Sequence, residues 1–101
     1  MIDQKYKLKR TKIVATIGPS SLSKNKIRKM ILAGLNICRI NFSHCSHENA
    51  LNLVSIISEL NNELSAHVAI IGDLQGPKLR IGNVKNNSLL SKGETVIIKA
   101  G

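Results

Sequence analysis

Thr11 to Ser23 reads TKIVATIGPSSLS, and its first seven residues decide the architecture. Thr11 to Ile17 is short, apolar and β-branched, and it breaks at Gly18-Pro19, the pattern of a strand covered on both faces. Ser23 follows as a helix N-cap. Leu22 and Ile27 are placed for a hydrophobic staple, Ile27, Met30 and Ile31 recur at helical spacing, and Gly34 stands where a left-handed C-terminal residue is expected. Asn36 to Phe42 (NICRINF) repeats the short apolar pattern as a second strand. Ser46 then caps a longer helix running through Leu53, Ile57, Leu60 and Leu64, and Val68 to Leu74 (VAIIGDL) is the third strand. Strand, helix, strand, helix, strand at this spacing predicts right-handed crossover units in a parallel sheet, an α/β architecture.

After Gly76-Pro77 the helical patterns stop. Lys78 to Val84 and Glu94 to Lys99 (ETVIIK) read as strands, with Asn86-Asn87 as a turn between them, so a second, all-β segment is expected from residue 77. Three parallel strands alone would leave open apolar edges that proteins normally cover. The chain therefore reads as the front of a larger fold.

The 101 residues suffice for one small domain or a piece of a larger one. With 43% apolar and 21% charged residues, the chain is neither disordered nor a collagen nor a disulfide scaffold. No apolar run approaches the roughly 20 residues of a membrane span, and no secretion signal is visible, so a cytoplasmic protein is expected. Cys38 and Cys45 lack metal-ligand spacing and read as reduced structural thiols. Fifteen basic residues against six acidic ones give a net charge of +9, which points to an anionic partner. Nucleic acid is disfavoured because the only aromatics, Tyr6 and Phe42, cannot form a stacking platform. Phosphorylated small molecules remain, and the clusters Lys5 to Lys12 and Lys24 to Lys29 read as solvated surface.

Alternation along the second strand puts Arg39, Asn41 and Ser43 on one face and Cys38, Ile40 and Phe42 on the other. An arginine there calls for an anionic ligand or an internal carboxylate. Asn41 to His44 and Asp73 all fall at carboxyl ends of strands, where parallel α/β proteins bind ligands, so Asp73 and the Arg39 row are expected to converge. Gly18 to Ser21 could offer backbone donors to a nucleotide. Lys78 and Arg80 are spaced to share a strand face, either meeting phosphates or standing in solvent. His44, His47 and His67 support neither a triad nor a metal site.

Three blocks, TKIVATIGPSS (Thr11 to Ser21), GLNICRINFSH (Gly34 to His44) and GDLQGPKLRIG (Gly72 to Gly82), resemble in order and spacing the N-terminal region of the pyruvate kinases. The resemblance implies the first three strands and two helices of a (β/α)8 TIM barrel (residues 1–76), followed by the start of an inserted all-β barrel domain (residues 77–101). It also implies phosphoryl transfer from phosphoenolpyruvate to ADP in a cytoplasmic enzyme, a homotetramer when full-length, with no nucleic-acid or membrane partner. Carried over by motif, Arg39 is the catalytic, substrate-binding group. Asn41, Phe42, Ser43, His44 and Arg80 line the nucleotide phosphates. Asn41, Ser43, Asp73 and the carbonyl of Leu74 match monovalent-cation ligands, hard oxygen donors suited to K⁺ or Mg²⁺. The Mg²⁺ carboxylates and the catalytic lysine of the family lie beyond residue 101, so no turnover is expected from this chain alone.

The chain also departs from the family pattern. K⁺-dependent members have Thr-Lys and a Glu where this chain has Leu74-Gln75 and Lys78. Independence of K⁺ is the expectation, with the Lys78 ammonium replacing the ion. Cys45 stands where glycine is frequent. Two other readings are another phosphoenolpyruvate/pyruvate barrel enzyme, disfavoured by the β-rich segment after Pro77, and a small basic nucleotide- or RNA-binding remnant without catalysis, which steeply salt-dependent RNA binding would favour.

Overall fold

The structure, a computed structural model, describes residues 9–84 and 88–100. Lys5, Tyr6 and the expected turn at Asn86-Asn87 lie outside the described residues. The elements are β1 (Val14–Thr16), α1 (Lys24–Ala33), β2 (Ile37–Asn41), α2 (His47–Leu64) and β3 (Ala69–Asp73). The three strands form one sheet in the order β1-β2-β3, all parallel. Val14, Ala15 and Thr16 pair with Ile37, Cys38 and Arg39, and Ile37 to Asn41 pair in step with Ala69 to Asp73.

Local chemistry starts and stops each helix. Ser23 is extended (φ −148°) and its hydroxyl accepts from the Lys26 amide at 3.3 Å, while Leu22 packs against the core as the staple requires. At the other end Gly34 has φ 122°. Its N–H donates to the Ile31 carbonyl and the Leu35 N–H to that of Met30, so two carbonyls left over by the helix are satisfied. Ser46 caps α2 through the Asn49 amide at 3.2 Å, with Glu48 favourably placed in the first turn. The stop of α2 has no glycine: Ser65 itself takes the left-handed conformation (φ 51°, ψ 40°).

Both helices cover the same face of the sheet. Ile27, Ile31, Leu53, Ile57 and Leu60 close over Cys38 and Ile40 of β2, all nearly or fully buried. Between the helices, Lys24 pairs with Glu59 at 2.8 Å and Arg28 with Glu63 at 2.9 Å. These pairs are exposed and are each worth about 0 to 1 kcal/mol. A buried leucine or isoleucine is worth about 1.5 to 3 kcal/mol, so the apolar seam holds the helices and the charges only set their alignment.

Two expectations change. β1 is not covered on both faces: Val14 is 49% exposed and Thr16 on the same face is also exposed, because nothing in the described chain packs on the face opposite the helices. Lys78 to Val84 and Glu94 to Lys99 form no strand, and no strand follows Asp73 among the described residues. A strand needs a partner ladder to satisfy its backbone, and here Leu79, Ile97 and Ile98 stand in solvent. One turn is built, at Ser91 to Glu94. The Glu94 N–H reaches the Ser91 carbonyl, the Glu94 carboxylate accepts from the Ser91 amide, and Gly93 supplies φ 84°.

The entry into β3 is held by one side chain. Asn61, on the last turns of α2, accepts from the Val68 amide at 2.9 Å and donates to the Val68 carbonyl at 3.1 Å, imitating a neighbouring strand. Asn61→Ala leaves both groups of a buried residue without that partner. Urea unfolding is expected to show a loss of about 1 to 3 kcal/mol, well above an ordinary surface substitution on α2.

Candidate functional site at the carboxyl ends of the strands

Arg39 lies in the middle of β2, with its side chain on the face away from the helices. It reaches both neighbours at once. Its Nε donates to Asp73 Oδ2 on β3 at 3.1 Å, one terminal nitrogen donates to the same oxygen, and the other donates to Thr16 Oγ1 on β1 at 2.9 Å. Parallel register makes this possible: Thr16 stands beside Arg39, and Asp73 lies two residues past Ile71, the Arg39 partner on the other side. The expected convergence of Arg39 and Asp73 is thus seen, and the anion that Arg39 meets within the described chain is a carboxylate. With the side chains of Arg39 and Asp73 still 32% and 47% exposed, the pair does little for stability. Its effect is to orient a guanidinium.

Ser43 departs from the expected row. β2 ends at Asn41, and residues 42–44 turn: the Asn41 side-chain oxygen accepts from the Ser43 amide at 3.1 Å, and the Asn41 carbonyl from the His44 amide at 3.0 Å. An asparagine at a strand end favours this local bond over further pairing. As a result the loop residues part company. Ser43 lines a polar cavity of about 290 Å³ with Gln75, Gly76, Lys78 and Arg80. Asn41 and His44 line another, of about 240 Å³, with Thr16 to Pro19, Leu22 and Cys45. The second is mostly apolar with a few polar groups, the character of a small-molecule pocket.

Phe42 turns back under the sheet. Its N–H donates to the Asp73 carbonyl and its carbonyl accepts from the Gln75 side chain at 2.8 Å, which ties the loop after β3 to the loop after β2. A Cβ built on Gly72 would lie 3.0 Å from the Phe42 ring, so the ring occupies the space a side chain at 72 would need. Leu74 is 77% exposed beside Phe42, His47 and Gln75. His47, the first residue of α2, meets the Phe42 ring edge-on at 6.1 Å, and His67 is exposed at the entry to β3.

Thr16, Gln75 and Gly72 were not read as site residues from sequence. Thr16 carried a signal, a hydroxyl among β-branched apolar neighbours at the position that shares a face with Arg39. Many of the basic residues have partners: Lys24 and Arg28 the glutamates of α2, Lys9 the Gly34 carbonyl, Lys26 that of Ser20. Lys78 and Arg80 stand together at the polar cavity.

The thiols differ. Cys38 is fully buried, and that burial pushes its pKa up from 9.0 to about 11, whereas Cys45 borders the apolar pocket, its thiol donating to the Ser46 carbonyl. The raised value means that the folded state holds the Cys38 proton more tightly than the unfolded chain, so this contribution to stability is present below pH 9.0 and fades as pH rises towards about 11. Iodoacetamide at neutral pH is expected to label Cys45 in the native protein and Cys38 only after denaturation, read by peptide mass.

Comparison with known proteins agrees on one family. The family described as "Pyruvate kinase, barrel domain" matches residues 8–100. Over 92 residues, 91% of this chain and 19% of the relative, the sequence is 46% identical to the pyruvate kinase of Buchnera aphidicola subsp. Schizaphis graminum. It is 44% identical to that of Thermococcus litoralis over 88% of this chain and 19% of the relative. To pyruvate kinase II of Salmonella typhimurium it is 42% identical over 93% of this chain and 20% of the relative. The chain spans about a fifth of the length of these relatives.

Proposed function

This chain belongs to the pyruvate kinase family, and we propose that it carries the phosphoryl-contacting arginine and part of the nucleotide site of a cytoplasmic enzyme that transfers the phosphoryl group of phosphoenolpyruvate to ADP. The observation that carries this reading is the guanidinium of Arg39, held in a parallel sheet by Thr16 and Asp73, the last residues of β1 and β3. Phosphoryl transfer needs charge placed in advance where negative charge gathers on the moving group. A planar guanidinium fixed by Asp73 and Thr16 meets that need, whereas a mobile lysine does not.

The nucleotide part of the reading draws on both cavities. Ser43, Lys78 and Arg80 form a polar recess whose charged walls suit phosphate oxygens. The apolar pocket bounded by Ile17, Gly18, Pro19, Asn41 and His44 suits a flat heterocycle with a few polar edges. The ligands of Mg²⁺ and the catalytic lysine belong, on this reading, to residues that this chain does not contain. The inserted all-β domain would begin at residue 77, with Ser91 to Glu94 as one of its turns.

A monovalent cation fits the donor set poorly. Of the four candidate ligands, Asn41 and Asp73 already use side-chain oxygens on Ser43 and Arg39, and Ser43 opens onto two positive side chains. A K⁺ ion there would meet repulsion from Lys78 and Arg80. Lys78 already brings positive charge to this loop, so the enzyme is expected to work equally in K⁺ and Na⁺ salts.

Two assays test the proposal, both reading pyruvate formed from phosphoenolpyruvate and ADP by the full-length polypeptide. Arg39→Lys is expected to lower kcat by about 100-fold or more, as removal of a single electrostatic stabiliser does elsewhere. Replacing Na⁺ by K⁺ is expected to change the rate less than about twofold, and Lys78→Glu to create a K⁺ requirement, since a carboxylate among oxygen donors favours a hard cation. The 101-residue chain by itself is expected to give no pyruvate.

A further inference from the structure

The guanidinium of Arg39 has five N–H donors, and the geometry accounts for three of them. Asp73 takes the Nε hydrogen and one on a terminal nitrogen, and Thr16 takes one on the other terminal nitrogen. One N–H remains on each terminal nitrogen with no partner among the described residues. Asp73 alone grips one edge through a single oxygen, and a grip of that kind lets the fork swing about the shared acceptor. The Thr16 bond at 2.9 Å adds a second fixed point on the opposite neighbour and stops the swing.

Thr16 suits that role for reasons visible in its own strand. A valine would serve β1 equally well as a strand former, since Val14, its neighbour on that face of β1, is one. Branching at Cβ restricts χ1, so the Thr16 hydroxyl is aimed before the arginine arrives. The residue pairs directly with Arg39 in the parallel register and is otherwise exposed, and its hydroxyl accepts from the guanidinium.

We infer that Thr16 is a positioning residue: with Asp73 it clamps Arg39 from both sides, so that the two remaining N–H groups face the open side of the sheet as a preset fork for a tetrahedral phosphoryl group. This rests on the reading of Arg39 as the phosphoryl contact. Loss of the hydroxyl should therefore act on the transition state, where the fork must be in register, far more than on substrate capture.

The test compares Thr16→Val, which keeps the branched shape and removes the hydroxyl, with Thr16→Ser, which keeps the hydroxyl, both in the full-length protein. Thr16→Val is expected to lower kcat by about 10- to 100-fold while the KM for phosphoenolpyruvate stays within about threefold. Thr16→Ser is expected to recover most of the rate. Crystal structures of the two variants supply a readout that needs no activity: Arg39 should be rotated or split between positions in Thr16→Val and unmoved in Thr16→Ser. Full activity of Thr16→Val, or an unmoved Arg39 in its structure, would overturn the inference, as would equal damage by both substitutions. Wild-type protein without phosphoryl transfer would sink the functional reading instead, and the position of Arg39 in the two crystal structures would then decide the clamp by itself.

Discussion

A residue in a strand can face only one of two ways, and β2 asks opposite things of its two faces. Cys38 and Ile40 are buried under both helices, while Arg39 and Asn41 alternate with them on a face that keeps water and charge. A shift of register by one residue would drive a guanidinium into the apolar seam, a cost of several kcal/mol that no contact in this molecule offsets. The positions of β1 and β3 follow from this. β3 must bring Asp73 within reach of Arg39 and β1 must bring Thr16, and the observed parallel register does both.

The helices serve that alignment from behind. Their caps at Ser23, Gly34 and Ser46 fix where the chain leaves and re-enters the sheet, and the Asn61 amide seats the first residues of β3. Apolar burial supplies the energy and the polar contacts supply the register. The same division holds at the site, where the Arg39 to Asp73 ion pair is too exposed to stabilise the fold and instead sets the direction of a charge.

Elements with a local signal were legible in the sequence. The two helices, their caps and the order of three parallel strands follow from Ser23, Gly34, Ser46 and the apolar spacing, because caps and periodicity act over a few residues. Convergence of Arg39 with Asp73 was also legible, since it needs only alternation and parallel register. Four things were not. The exposed face of β1 depends on what packs there, which no residue of the run TKIVATI reports. The turn of Ser43 depends on whether Asn41 bonds locally or continues the strand, and both are open to asparagine. The runs at Lys78 to Val84 and Glu94 to Lys99 have strand composition, but a strand is a property of a pair and neither has a partner among the described residues. Ser65 in the left-handed region belongs with these, since serine is a weak marker for a helix stop.

Gly72 and Phe42 touch across β2 and β3, with the ring filling the space where a Cβ at 72 would sit. The ring at 42 therefore limits what residue 72 can become. A lineage that enlarges residue 72 must first, or at once, accept a smaller or differently turned residue at 42, and because the Phe42 backbone also anchors Gln75 and Asp73, the intermediate step disturbs the loops that carry Ser43 and Lys78. Growth at 72 alone is opposed while change at 42 is not, so a larger residue at 72 should enter with or after a change at 42, and the path of change through this strand end has a preferred order.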